Sequence, residues 1–269
     1  MSGSAERKYH IGFGLEDLGP PDRRPTLVLL SGDPERTSHI ATARLRDGVL
    51  LSDHRGLVSY RALLPNRQPV VCATSGMGGP STSIVVNELA QVGIRSIIRI
   101  GTTGSIQPHV HIGSVIVTSA SLSRHGAALD IAPAEFPAVA DPFLTVALAE
   151  SAARLGVACH VGITASVDTF FEGQERRESS ANNKLLRALD GITEEYRALR
   201  ILNYEMESAT LFKQCSVYGL AAGCVCAVIA ERATSEDVSL TEKDAAIERA
   251  ISVAIDASET WLARGGSPT

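Results

Sequence analysis

Short apolar runs alternate along the chain with stretches in which apolar residues return every three or four positions, and glycine, proline and polar clusters punctuate the joins. Residues 26–30, 68–75, 97–104, 114–123, 157–166 and 222–230 read as strands, and 48–64 as two more around Asp53-His54-Arg55-Gly56. Residues 81–92, 142–155, 208–218 and 240–262 read as helices, 179–198 as a less regular helical stretch, and 201–205 as the run leading into the helix at 208. Residues 1–24, rich in Gly, Pro and charge, are expected to form an extended polar arm. Loops are expected at 107–112, 132–141 and 168–177, and the polar loop 231–239 suits a mobile lid. Strands alternating with helices, with no repeat or low-complexity linker, predict one α/β domain over residues 1–269, its mostly parallel or mixed sheet covered on both faces.

Composition narrows the function classes. With 269 residues and 44% of them hydrophobic, the chain can bury the core of such a domain. A net charge of -5 supplies no basic face for a phosphate backbone, which argues against a nucleic-acid partner; any bound anion is expected to be small. No apolar run reaches the ~18 residues of a membrane span, and the amino terminus lacks a secretory leader's apolar core. Five cysteines, an odd number mostly within apolar runs, suit packed thiols in a reducing compartment, and a cytoplasmic location is expected. Cys224-Val225-Cys226 has the spacing of neither a redox pair nor half a zinc site. His39, His125 and His160 have no partners at metal-ligand spacing and are assigned to structure or solvent, so no metal site is predicted.

The chemistry centres on Ile97-Ile98-Arg99-Ile100-Gly101-Thr102-Thr103-Gly104. A buried arginine costs several kcal/mol unless something anionic meets it, so Arg99 in an apolar strand requires a partner, either structural or bound. Flanking glycines let backbone approach a small molecule and the threonines offer hydroxyls, which points to phosphate. In Ser31-Gly32-Asp33-Pro34-Glu35-Arg36, Asp33 is a helix N-cap and Pro34 fits the first helical position, leaving Gly32 and Arg36 beside a helix amino terminus. Gly76-Met77-Gly78-Gly79-Pro80 enters a helix with the wrong spacing for a dinucleotide fingerprint, so a nicotinamide site is rejected.

Residues 76–83, 99–109 and 203–208 resemble the nucleoside phosphorylase-I family, particularly its uridine-cleaving bacterial members, and 32–36 and 173–176 match the same family in the same order. The likeness spans roughly residues 9–262. It implies a three-layer α/β/α fold with a central mixed, partly barrel-like sheet. It also implies pentosyl transfer: reversible phosphorolysis of uridine, or of a deoxy- or 5'-modified uridine, to uracil and ribose-1-phosphate. Inorganic phosphate is then a co-substrate and no other cofactor is expected. The family likeness further implies a homohexamer built as three dimers with shared active sites.

By that resemblance Gly32, Arg36, Arg55, Arg99 and Thr102 hold phosphate, Arg55 coming from a neighbouring subunit. His10 reaches across an interface to the ribose 5'-hydroxyl, and Thr102, Met206 and Glu207 hold the sugar. Thr103, Gly104, Phe170, Gln174, Arg176, Glu205, Ile229 and Arg232 surround the base. Arg99, Glu207 and Arg176 carry the catalytic roles: anion binding, the grip on the 2'-hydroxyl, and stabilisation of the departing base. Gly56, Glu172 and Glu231 depart from the pattern. Gly56 stands where relatives carry a cation-binding glutamate, and Glu231 lies near the position from which purine-specific relatives protonate the base. A purine or broad-specificity phosphorylase is therefore the alternative within the fold; a hydrolytic nucleosidase and a non-catalytic nucleoside-binding protein are the alternatives outside it.

Overall fold

The alternation along β1 (Leu27–Ser31) sends successive side chains to opposite sides of the sheet and so builds two cores. Leu27 and Leu29 pack on one side, with helices α4 (Pro142–Arg154) and α7 (Leu240–Ala263); Val28 and Leu30 pack on the other, with α2 (Gly79–Gln91) and α6 (Ser208–Tyr218). The structure is a computed structural model and describes residues 7–232 and 240–266.

The remaining strands are β2 (Arg46–Ser52), β3 (Ser59–Leu63), β4 (Pro69–Thr74), β5 (Ser96–Ser105), β6 (Val115–Arg124), β7 (Cys159–Val167), β8 (Asn203–Glu205) and β9 (Ala221–Glu231). Their order is β2-β3-β4-β1-β5-β8-β7-β6-β9, and β9 pairs back onto β5. Five strands, β5, β8, β7, β6 and β9, thus close a ring, and the other four extend it as an open sheet. Parallel and antiparallel pairings both occur, so the expected mixed, partly barrel-like sheet between helical layers is what the chain forms. Carboxyl ends of β1, β5 and β9 converge on one side, where ligands bind in sheets of this kind.

Three local expectations are corrected. Residues 7–24 are not an extended polar arm: Leu15–Leu18 and Pro21–Arg23 wind into 3-10 turns, and Ile11, Phe13 and Leu18 are buried against the α2 and α6 side. Glu88 of α2 fastens this segment, accepting from the N–H of Ile11 at 2.8 Å and of His10 at 3.0 Å and bonding the His10 ring at 2.7 Å. The helical reading of 179–198 holds only for α5 (Ile192–Ala198); Gly191, at φ 83°, starts it, and 179–191 are irregular. A short helix, α3 (Gly126–Ile131), lies where none was expected; at six residues it is too brief for its periodicity to show. The lid reading of 231–239 falls, beyond Arg232, outside the described residues.

Candidate active site

A cavity of about 670 Å³ opens at the strand ends. Gly32 follows β1, Thr102, Thr103 and Gly104 lie in β5, Ile229 lies in β9, and Met206 and Glu207 occupy the turn between β8 and α6. These residues line it together with Arg36, Arg55, Arg99, Phe170, Gln174, Arg176 and Glu205.

Arg99 is 4% exposed, and its charge is met from one side by two carboxylates: Nε donates to Glu205 Oε2 at 3.2 Å, and Nη2 donates to Glu207 Oε2. Burial pulls this guanidinium down, but Glu207 and Glu205 outweigh burial and hold it above its ordinary value. The third nitrogen, Nη1, is buried without a protein partner, and so is Arg36 Nε. Arg36 comes from α1 (Pro34–His39), whose N-cap Asp33 accepts from Glu35 N as expected. Arg36 Nη1 donates only weakly, to Ser31 Oγ at 3.4 Å and Ile100 O at 3.3 Å. Burial lowers the Arg36 pKa, Asp33 opposes that, and the neighbouring Arg99 lowers it further. Two cations thus crowd each other with donor capacity left over, the electrostatic profile of an anion site. Gly32 lies beside Arg99: a Cβ there would sit 3.9 Å from Arg99 Nη1 and 3.2 Å from Gly76 O.

On the acidic side, β8 is short because Met206 and Glu207 turn the chain into α6. Glu205 lines the cavity as well. Its carboxylate is consumed by that turn, accepting from Glu207 N at 2.9 Å, Ser208 N at 2.9 Å and Ser208 Oγ at 2.5 Å as well as from Arg99. Burial pushes it up, but Arg99 and the serine hydroxyls hold it below the usual carboxylate range. Glu207 accepts from Gly78 N at 2.6 Å. It has fewer donors; burial raises its pKa, Arg99 offsets part of that, and the Glu205 charge raises it further. Gly78, at φ 84°, belongs to the glycine-rich turn whose close approach the motif implied.

At the far end, Gln174 and Arg176 are each 4% exposed and linked, Arg176 Nε donating to Gln174 Oε1 at 3.3 Å. The Phe170 ring carries the Arg176 guanidinium 4.1 Å from its centroid, so one face of the ring positions that arginine. Thr103, in the lining, has a hydroxyl that donates to Tyr204 O at 2.6 Å and accepts from Asn203 Nδ2 at 2.7 Å, joining β5 to β8. Arg232 is not among the lining residues; its Nη2 donates to Gln174 O at 3.0 Å. Glu231 accepts from Ile112 N at 3.0 Å and lies 3.3 Å from the His111 ring, away from the lining.

His10 does not line the cavity of its own chain. It sits edge-on to Tyr9, whose ring lies 5.5 Å from the Arg55 guanidinium, so His10, Tyr9 and Arg55 form one surface group. Arg55 adopts φ 58° and lines this chain's own cavity. Sequence reasoning missed the supporting layer of Gly78, Ser208, Ser166 and His125, because turn geometry and cross-strand packing bring these together and no local pattern marks them.

A ring-closed mixed sheet with an arginine-lined anion cradle at one end of a cavity, and a carboxylate and an amide–guanidinium pair further along, defines an α/β phosphorylase. The chain belongs to the Phosphorylase superfamily, whose pattern matches residues 26–262. It is 45% identical to the uridine phosphorylase of Salmonella typhimurium (strain LT2) over 254 residues, covering 94% of this chain and 98% of that protein. It is 40% identical to the uridine phosphorylase of Thermococcus kodakarensis over 245 residues, covering 89% and 83%. A DeoD-type purine nucleoside phosphorylase of Actinobacillus pleuropneumoniae is 29% identical over 232 residues, covering 86% and 90%.

Proposed function

We propose that this chain catalyses the reversible phosphorolysis of uridine to uracil and ribose-1-phosphate. The observation that carries the reading is the pair of unpartnered donors, Arg36 Nε and Arg99 Nη1, on guanidinium groups lining the cavity that Glu207, Gln174 and Arg176 also line. Phosphate held by Arg36, Arg99, Gly32, Thr102 and Arg55 presents an oxygen to the anomeric carbon. As the new C–O bond forms, the bond to uracil N1 breaks and its electron pair leaves with the base. Glu207 accepts the ribose 2'-hydroxyl proton in a hydrogen bond over Met206, favouring the cation-like sugar. Arg176 and Gln174 receive the charge that develops on the uracil oxygens, so the base departs as a stabilised anion and takes its proton from solvent. Phosphate is the nucleophile, and the reaction needs no other cofactor. Uridine phosphorylases at 40–45% identity support uracil over purine, as does Glu231, which points away from the lining.

We place the enzyme in the cytoplasm as a hexamer of three dimers with shared sites; five free cysteines suit a reducing compartment. Among the described residues no helix is long and apolar enough to cross a membrane. The grouping of His10, Tyr9 and Arg55 on one exposed surface supports delivery of His10 into a partner's cavity. The test of base choice is a panel of uridine, thymidine, inosine and adenosine with phosphate. Uridine is expected to turn over fastest; inosine or adenosine ahead of it would replace this reading with a purine one.

A further inference from the structure

Gln174 and Arg176 line the cavity, and Glu175 between them does not. Its backbone takes φ 52°, a left-handed conformation that a glutamate seldom adopts and that its surroundings must hold in place. Within the loop, Gly173 N donates to Thr169 Oγ1 at 2.7 Å, Glu175 N to Glu172 O at 3.0 Å and Arg176 N to Phe171 O at 2.7 Å, closing a tight turn. The Glu175 carboxylate is spent on the start of α5: Oε1 accepts from Gly191 N at 2.6 Å and Oε2 from Thr193 N at 2.9 Å. Gly191 has no side chain with which to cap the helix it begins, so Glu175 supplies both acceptors from upstream. Burial pushes this carboxyl up, but the Thr193 and Gly191 N–H groups outweigh burial and hold it below its ordinary value. The helix it grips is itself fixed. Ile192 and Tyr196 are buried in a cluster with Ile106, Val167 and Tyr204, Thr193 Oγ1 bonds the Tyr204 hydroxyl at 2.9 Å, and Tyr204 lines the cavity. Arg232, just past β9, holds Gln174 O, so two fixed elements grip residues 174–176.

We propose that Glu175 is a positioning residue for base recognition: anchored on Gly191 N and Thr193 N, it fixes the side chains on either side of it, Gln174 and Arg176, in the cavity. Bonds from backbone N–H groups to an ionised acceptor are short and directed, and small displacements of a positioning group are costly in rate. A cap that only stabilised α5 would leave the two Michaelis constants in their wild-type ratio.

The kinetic arm of the test rests on the phosphorolytic reading; the exchange arm does not. Glu175→Ala is expected to raise the KM for uridine about tenfold while leaving the KM for phosphate within about twofold. Glu175→Gln keeps one carbonyl acceptor and is expected to raise the uridine KM only about threefold. Glu175→Gly adopts φ 52° without strain but has no carboxylate, so it is expected to be at least as impaired as the alanine variant. Because Glu175 acts through its neighbours, adding Glu175→Ala to Arg176→Ala is expected to cost less in uridine kcat/KM than it costs alone. A glycine variant with the wild-type KM for uridine, an alanine variant in which both Michaelis constants are unchanged or rise together, or losses that multiply in the double variant overturns the proposal. If the alanine variant does not fold, the glutamine variant decides by the same comparison of the two constants. Amide hydrogen exchange read by mass spectrometry is expected to rise about tenfold in Glu175→Ala over 168–176 and 191–196 and to stay unchanged over 99–105. Unchanged exchange over 168–176 overturns the anchor whether or not the protein cleaves uridine. A protein that lacks phosphate-dependent cleavage but shows the expected exchange refutes the function and leaves the anchor standing.

Discussion

Glu205 and Glu207 share Arg99 unequally. Glu205 is furnished with backbone and hydroxyl donors and held low, while Glu207 has Arg99 and Gly78 N and is held high. The two residues are two positions apart in the chain, one ending β8 and the other capping α6, and the turn between them brings both carboxylates to the same guanidinium. The first thus serves as scaffold, and the second is the carboxylate with capacity to take a substrate hydroxyl.

Glu207→Ala is expected to lower kcat by roughly ten- to a hundredfold, the worth of one hydrogen bond to a charged acceptor. The change should be smaller for 2'-deoxyuridine, which lacks the hydroxyl. Steady-state kinetics on both nucleosides check this; equal losses would mean that Glu207 acts on something other than the 2'-hydroxyl.

The anion cradle makes a separate prediction. Arg36→Ala is expected to raise the KM for phosphate by roughly tenfold or more with the fold intact, since it removes a donor from a partly desolvated anion site. Gly32→Ala should act in the same direction, because its Cβ would enter the space beside Arg99 Nη1 and press on Gly76 O. Phosphate titrations at saturating uridine measure both.

Of the cradle, Arg99 was legible in the sequence because an arginine inside an apolar strand must be answered by charge. Gly32 and Arg36 were legible because Asp33-Pro34 marks a helix start. What was not legible depends on where a turn aims a side chain. The bend at Met206 folds the Glu205 carboxylate back onto Ser208, which no local pattern announces. Arg232 reaches the backbone of Gln174, a contact between distant segments that the sequence does not mark. Apolar residues 11, 13 and 18 are too few and too interrupted by glycine and proline to signal burial, yet they reach the core once Glu88 fastens the segment.

Glu231→Gln is expected to leave uridine turnover within about twofold and the base preference unchanged, because its carboxylate is held by Ile112 N on the outer side of β9. A nucleoside panel on this variant checks it; a tenfold loss would make Glu231 part of the chemistry.

Glu88 links the amino-terminal segment to acid stability. Burial pushes it up, but the N–H groups of Ile11 and His10 and the His10 ring pull it below its ordinary value. Its contribution is therefore complete above the ordinary carboxylate pKa of 4.5 and fades as pH falls below that. Glu88→Gln is expected to cost about 1 kcal/mol near neutrality and to flatten the loss of stability below that pH. Urea unfolding across pH 3–7, read at far-ultraviolet wavelengths, measures both slopes.

The central claim, that clustered guanidinium groups hold phosphate as the nucleophile, is tested most directly by following uracil release from uridine with and without inorganic phosphate. Release that rises with phosphate to saturation, with ribose-1-phosphate formed mole for mole, is the expected result. Release at the same rate in phosphate-free buffer, yielding free ribose, would contradict it.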